Sequence, residues 1–391
     1  MKKVLYLLPF AALAMASCSN SEDVVQTAPA AENQEVKIFP QVTGSTRGTL
    51  ETTASIDEFN LIASGLFATA ADGEASSSSW SETVTKAAGS WTLSTPLWWG
   101  DATTSANFLA YANKGTATYS DGKLTGFTAN ADVASQTDLV VAYNSGTKTD
   151  FSAGVPLHFQ HALSQVLVKA NYVYDNTIAT NPDLVVKVKG IRFANVNPTG
   201  TLTLPTTSTV SSYAADWSLT GTATSAFESS FDSPVTLTST SVAVDNSASA
   251  GPLLLIPQTQ SATTDLTATT VTGSYLMVKV DIDYETAQAG VTNVFPTWQA
   301  GGDETGAENV FAWVAIPVNI NWTAGYKYTY TLNFTNYAVG HAAPEQPGDD
   351  TPDNPGVDPD EPIVPEVLTP LTFTVTVEDT WQEAGTNLSP M

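Results

Sequence analysis

Leu371-Thr372-Phe373-Thr374-Val375-Thr376-Val377 alternates apolar and β-favouring polar residues without a break, and Trp381 continues the apolar parity. Alternation with a period of two puts each set of side chains on one face of an extended backbone, so this stretch reads as a β-strand with one apolar face. It is preceded by His341 to Pro370, which holds eight Pro and eight acidic residues and no Lys or Arg. That composition predicts an extended linker, stiffened by proline and by self-repulsion. A single strand beyond such a linker has no stability of its own. It pairs with a sheet elsewhere, in its own chain or in another molecule.

Upstream of the linker the same β pattern fills the chain. From Val36 on, Ser and Thr are abundant, apolar residues alternate or come in short runs, and Gly, Asn, Asp or Pro interrupt every dozen or so positions. Strands are predicted at Phe59 to Thr69, Phe108 to Ala112, Leu139 to Tyr143, Val155 to Val173, Val185 to Val196, Leu253 to Ile256, Tyr275 to Tyr284, Val310 to Ile320 and Tyr326 to Phe334. So many short strands exceed one sandwich and suit two, giving an all-β fold. The polar, glycine-bounded stretch Gly146 to Gly154 sets the junction, with an N-terminal β-sandwich over 48–152 and a C-terminal one over 153–340. The last strand and tail occupy 371–391.

Charge and targeting narrow the function. The 391 residues carry a formal charge of -25, and only two Arg are present, Arg47 and Arg192. Nucleic acid as a partner is disfavoured, because phosphate binding needs Lys and Arg to release counterions. Lys2 and Lys3 precede an apolar run from Val4 to Ala16, as long as the core of a signal peptide and too short to span a bilayer. The run ends in Met15-Ala16-Ser17-Cys18, with the only Cys of the chain where a lipoprotein signal needs its acylated thiol. Residues 1–17 are thus expected to be removed, and lipid on Cys18 to anchor the precursor to the outer membrane. Residues 18–35 are polar, Ala-rich and acidic, and read as a flexible tether.

The residues resemble those of the fimbrillins, the type V pilins of Bacteroidetes. The likeness rests on Cys18, on Val36-Lys37-Ile38-Phe39 followed by Ser45-Thr46-Arg47, and on Pro96-Leu97-Trp98-Trp99 ahead of Asn107-Phe108-Leu109-Ala110-Tyr111. It continues through Asp138-Leu139, Val155 to Ser164, Leu254-Leu255-Ile256-Pro257-Gln258 and Trp322 to Tyr330. No single motif is specific; their order along the chain is. The resemblance implies two transthyretin-like β-sandwich domains in tandem, with a C-terminal donor-type strand. It also implies export as a lipoprotein, cleavage between Arg47 and Gly48, and removal of the first strand, 36–47. A neighbouring pilin subunit, self or paralogous, would then fill the open groove head-to-tail with its own C-terminal strand, building a cell-surface fimbrium that supports adhesion.

The residues at the two ends are compatible with such an exchange. Val36, Ile38, Pro40 and Val42 share one face of the first strand, and Leu371, Phe373, Val375 and Val377 share one face of the last. Pro40 has no N–H to donate, which places the first strand at an edge or in a poorly paired position. The linker reaches about 90 Å at about 3.1 Å per residue, far beyond the size of one domain, and length alone also allows the tail to fold back. Arg47 stands in the polar stretch Gly44 to Thr49, open to a protease, whereas Arg192 lies in a strand-like run.

Other chemistry finds little support. G-x-S-x-G, G-x-G-x-x-G, P-loop and H-E-x-x-H motifs are absent, so no enzyme, cofactor or metal is expected. His158 and His161, three apart in a strand, point to opposite faces. Asp281, Asp283 and Glu285 alternate on one strand face and read as solvated. Asp349 to Asp360 in the linker lack the spacing of a calcium loop. Nine Trp leave open an alternative, a surface lipoprotein that binds glycans as a carbohydrate-binding module.

Overall fold

A computed structural model of the chain describes residues 34–42, 56–87, 90–178, 180–209, 213–223, 225–268, 271–288, 291–296, 311–343 and 371–378. It is all-β: among these residues, helix is confined to single turns at Val133–Ser135, Asn176–Ile178 and Ser247–Ala250. The first ten strands are β1 (Ile38–Val42), β2 (Glu58–Ala68), β3 (Ser76–Ala87), β4 (Ser90–Thr92), β5 (Trp98–Trp99), β6 (Ala106–Ala112), β7 (Thr118–Ser120), β8 (Lys123–Thr128), β9 (Val140–Gly146) and β10 (Val155–His161). They are followed by β11 (Ser164–Tyr172), β12 (Leu184–Val196), β13 (Thr199–Thr203), β14 (Asp216–Leu219), β15 (Ser225–Thr236), β16 (Val242–Ala243), β17 (Leu253–Leu255), β18 (Thr259–Gln260), β19 (Tyr275–Gln288) and β20 (Val291–Phe295). The last five are β21 (Ala312–Pro317), β22 (Ile320–Asn321), β23 (Lys327–Phe334), β24 (His341–Ala342) and β25 (Thr372–Glu378).

The first sheet has eight strands, in the order β1-β10-β9-β6-β2-β3-β4 with β5 also on β2. In β10 alternation is strict: Val155, Leu157, Phe159 and His161 are buried, while Pro156, His158 and Gln160 are half-buried between them. The inward side chains of this sheet form one core, in which the Trp99 and Phe108 rings lie 5.7 Å apart and Phe108 meets Phe151 edge-on at 6.0 Å. Offset and edge contacts of this kind add to the burial of large rings.

The second core lies between a six-stranded sheet, β15-β12-β19-β21-β24 with β20 on β19, and a five-stranded sheet, β16-β11-β23-β25 with β17 on β11. Val186, Val188 and Phe193 of β12 and Val278 and Val280 of β19 face Val166 and Val168 of β11 and Tyr330 and Leu332 of β23. The apolar run predicted as one strand, Val155 to Val173, is two strands. It turns at Ala162 and Leu163, both buried, whose backbone groups bond Leu139 and Gly325. Residues 147–154 form the turn between β9 and β10, two strands of the same first sheet. Val155, Leu157 and Phe159 of β10 lie in the first core and Val166 and Val168 of β11 in the second, but Tyr111, Leu139 and Val141 enter the second core earlier in the chain, so the two cores do not divide at one point of the sequence.

A fourth sheet joins the halves. β7 and β8 come from the first half and β13 and β14 from the second, in the order β14-β13-β8-β7. Leu124 and Phe127 of β8 pair with Leu202 and Gly200 of β13 and are buried in the second core.

Candidate functional site

The first strand ends one edge of the eight-stranded sheet. β1 runs parallel to β10 in a register of five pairs, from Ile38↔Val155 to Val42↔Phe159. Val36, Ile38 and Pro40 point into the core, as their common parity requires, while the residues between them face outward. Its position at the end of the strand order agrees with a proline in its middle. The strand is held on its other side as well, which the sequence did not suggest. Val36 N–H donates to Leu97 O at 2.7 Å and Trp99 N–H donates to Gln34 O at 2.9 Å. Residues 34–42 thus bridge from β5 to β10 and close the first core.

The turn before β10 is shaped to receive this strand. Asp150 accepts from the N–H and hydroxyl of Thr147, both at 2.8 Å, and the bonds from Thr147 hold its carboxyl below the ordinary range. Phe151 enters the core, and Gly154 follows at a positive φ of 125°. The Phe39 ring lies directly on Gly154, where a Cβ would stand 2.1 Å from ring carbon Cε2. Val155 N–H then donates to Lys37 O at 2.8 Å, starting the ladder. Cys18, Arg47 and Gly48 lie outside the described residues, as does the side chain of Val42.

The last strand is elsewhere. β25 pairs antiparallel with β23 of its own chain, from Asn333↔Thr372 to Lys327↔Glu378, and forms the edge of the five-stranded sheet. Its apolar set is unevenly covered. Leu371 is buried in the second core and the Phe373 ring lies 6.3 Å from Tyr330, but Val375 is 40% and Val377 48% exposed. The first and last strands thus lie in different sheets.

The remaining sequence candidates have structural partners. His161 is buried, with Nδ1 2.7 Å from Asp138 Oδ2, while His158 is half-buried on the opposite face and burial lowers its pKa. Asp281 and Asp283 do share a strand face, but Asp281 is buried and not solvated: Lys187 Nζ bonds Asp281 at 2.9 Å and Asp283 at 3.1 Å. Burial works against the Lys187 ammonium, yet the two carboxylates hold its pKa above the ordinary value; burial in turn pushes the Asp281 carboxyl up. We regard Lys187 as the cation of this trio, because two acceptors outweigh its partial burial. Among the described residues no cluster of three or more His, Cys, Asp or Glu could hold a metal ion, and no helix is long and apolar enough to cross a membrane. Trp99, Trp313 and Trp322 are buried and Trp80, Trp91, Trp98 and Trp217 half-buried, while Trp298 and Asp349 to Asp360 lie outside the described residues.

The sequence reading passed over the hairpin β7–β8 and the buried Thr209. Asp121-Gly122, both at positive φ, was the available signal for the hairpin, since a two-residue turn of this type matches strand twist. Thr209 offered none, because a lone Thr in a polar loop carries no pattern.

The fimbrillin-like family model matches residues 46–346. No curated protein matches the chain. Among solved structures, a fimbrial protein from Bacteroides vulgatus shares 16% identity over 78% of this chain and 95% of its own, with a TM-score of 0.47. A fimbrilin from Porphyromonas gingivalis shares 13% identity over 88% of this chain and 97% of its own, with a TM-score of 0.40.

Proposed function

Because the chain belongs to the fimbrillin-like family, we propose that it is a structural subunit of a cell-surface fimbrium, not an enzyme, and that it joins its neighbours by strand exchange. In this reading residues 1–17 direct export, lipid on Cys18 anchors the precursor at the outer membrane through the tether 18–35, and cleavage after Arg47 frees the first strand together with its anchor. The C-terminal strand of a neighbouring pilin subunit then enters the slot.

The observation that carries this reading is the uneven burial of β25. Among the described residues the strand has one neighbouring strand, β23, and leaves Val375 and Val377 half-uncovered. The first-strand slot has hydrogen-bonding partners on both sides, β10 along one length and Leu97 and Trp99 at the other end. Moving from an edge to such a slot keeps the backbone bonds and buries the two valines further, a gain of about 1 kcal/mol each, roughly half of a full Val transfer. Strand addition of this kind joins main-chain affinity to side-chain pockets. While the first strand stays attached, it competes at high effective concentration for its own slot; cleavage turns it into a separate fragment. Head-to-tail donation does not close on itself, so it yields a filament.

Electron microscopy of cells with and without the protein tests the function. Filaments that contain the subunit and disappear with it are expected. Size-exclusion chromatography of trypsin-cut protein with and without residues 368–391 tests the mechanism, with polymers expected only from the cut, full-tailed form. Polymers from the tailless form would sink strand exchange.

A further inference from the structure

The two edges of β10 are held in different ways. On one edge Val155 to Phe159 pair with β1 throughout. On the other edge, ladder pairing with β9 is limited to Gln160↔Val141 and His161↔Val140. Thr209, supplied by the segment after β13 and fully buried, stands between the two strands beyond that point. Its N–H donates to Tyr143 O of β9 at 3.0 Å. Its hydroxyl accepts from Tyr143 N–H at 3.2 Å and donates to His158 O of β10 at 2.6 Å. The Gln160 amide donates back to Thr209 O at 2.9 Å, and one pair further on Asn144 Nδ2 donates to Pro156 O at 2.9 Å.

When the first strand leaves, Val155 to Phe159 lose the one strand ladder they have among the described residues. Among those residues the packing of Val155, Leu157 and Phe159 and the bonds from Thr209 and Asn144 then hold the segment. We infer that Thr209, with Asn144, is a bracket by which the second half of the chain keeps β10 in place as the template for an incoming strand. The inference rests on the strand-exchange reading above. A template must present its N–H and C=O groups at the right spacing before its partner arrives, and each ordering step already taken lowers the cost of docking. A buried hydroxyl that both accepts from β9 and donates to β10 fixes that spacing, and its removal leaves buried backbone groups unpaired.

Hydrogen exchange at residues 155–159 tests this in the full chain, in wild type, Thr209→Val and Thr209→Ser, before and after trypsin cleavage at Arg47. Uptake of a synthetic peptide of residues 368–382 by the cut chains is the second readout. Before cleavage, with β1 in place, the three proteins should agree within about twofold. After it, Thr209→Val should exchange about tenfold faster across 155–159 and take up peptide about tenfold more slowly, while Thr209→Ser follows wild type. Thr209→Val and wild-type proteins that match in both readouts after cleavage would overturn the bracket. So would faster exchange spread over every sheet, which would make Thr209 a general stability residue. A wild-type cut chain that takes up no peptide refutes strand exchange instead, and the exchange rates then judge the bracket by themselves.

Discussion

Gly154 shows how one backbone position decides whether the first strand seats. Its φ of 125° and the Phe39 ring above it leave no room for a side chain, and Phe39 itself is 48% exposed, so this contact is made at the rim and not in the core. Gly154→Ala should cost about 1–3 kcal/mol through strain and displacement of the ring. The cost should appear as faster hydrogen exchange at Ile38–Val42, with Phe39→Ala in the same chain recovering part of it. Glu228 illustrates a charge held by its partners. Arg192 Nη2 and Nε reach its Oε2 at 2.6 and 3.2 Å, and the guanidinium lies 4.6 Å above the Trp313 ring. Burial pushes the Glu228 carboxyl up, but Arg192 and Ser230 outweigh it and hold the group below its ordinary value of 4.5. A carboxyl depressed in the folded state adds stability that is complete above its unfolded value and is lost as pH falls through the folded one. Glu228→Gln should therefore lower stability by about 1 kcal/mol at pH 7, a modest figure because the pair is partly exposed. Urea midpoints of variant and wild type should converge as the pH falls below 4.5. A gap that stays constant at low pH would refute the assignment. In the sequence Gly154 showed only as one bound of a glycine-bounded polar stretch, and Glu228, between Phe227 and Ser229, did not stand out, since neither carries its role until the fold gives it neighbours.

Among the strands, β25 separates stability from assembly. Because Val375 is 40% exposed in its own chain, Val375→Asp should change the unfolding midpoint by no more than about 0.5 kcal/mol. The same carboxylate, pushed into an apolar slot of a neighbour, would be buried without a partner, so filament formation by cut protein should fail. Leu371→Asp should damage both, since Leu371 already belongs to the second core. Normal filaments from Val375→Asp would show that this face never enters a groove. The alternation of residues 371–377 was legible at once and defined the apolar set. Its seat on β23 was not, because an edge offers the same backbone groups whatever the side chains beside it. β7 and β8 are the opposite case: their turn, Asp121-Gly122, was visible, but their short polar strands hid it. They become strands because β13 supplies the ladder that their own sequence cannot maintain.

β8 also carries the strongest consequence for the chain as a unit. Leu124 belongs to the first half in sequence and is fully buried in the second core. Thr209 reaches back the other way, from the second half into the first sheet. With structure exchanged in both directions, calorimetry should show one cooperative transition, and Leu124→Ala should lower it as a whole, costing about 2–5 kcal/mol. Two transitions, only one of them moved by the substitution, would refute this coupling. Sequence alone determined the β character of the chain, the inward parity of Val36, Ile38 and Pro40, and the amphipathic last strand, since side-chain alternation is a local property of an extended backbone. Only the tertiary structure decided that 34–36 close onto Leu97 and Trp99, that the run from Val155 splits at Ala162, and that β8 and Thr209 cross between the halves. Every strand offers the same N–H and C=O groups along its edges, so the choice among possible neighbours is made by the packing of the complete core and not by any residue in the strand itself.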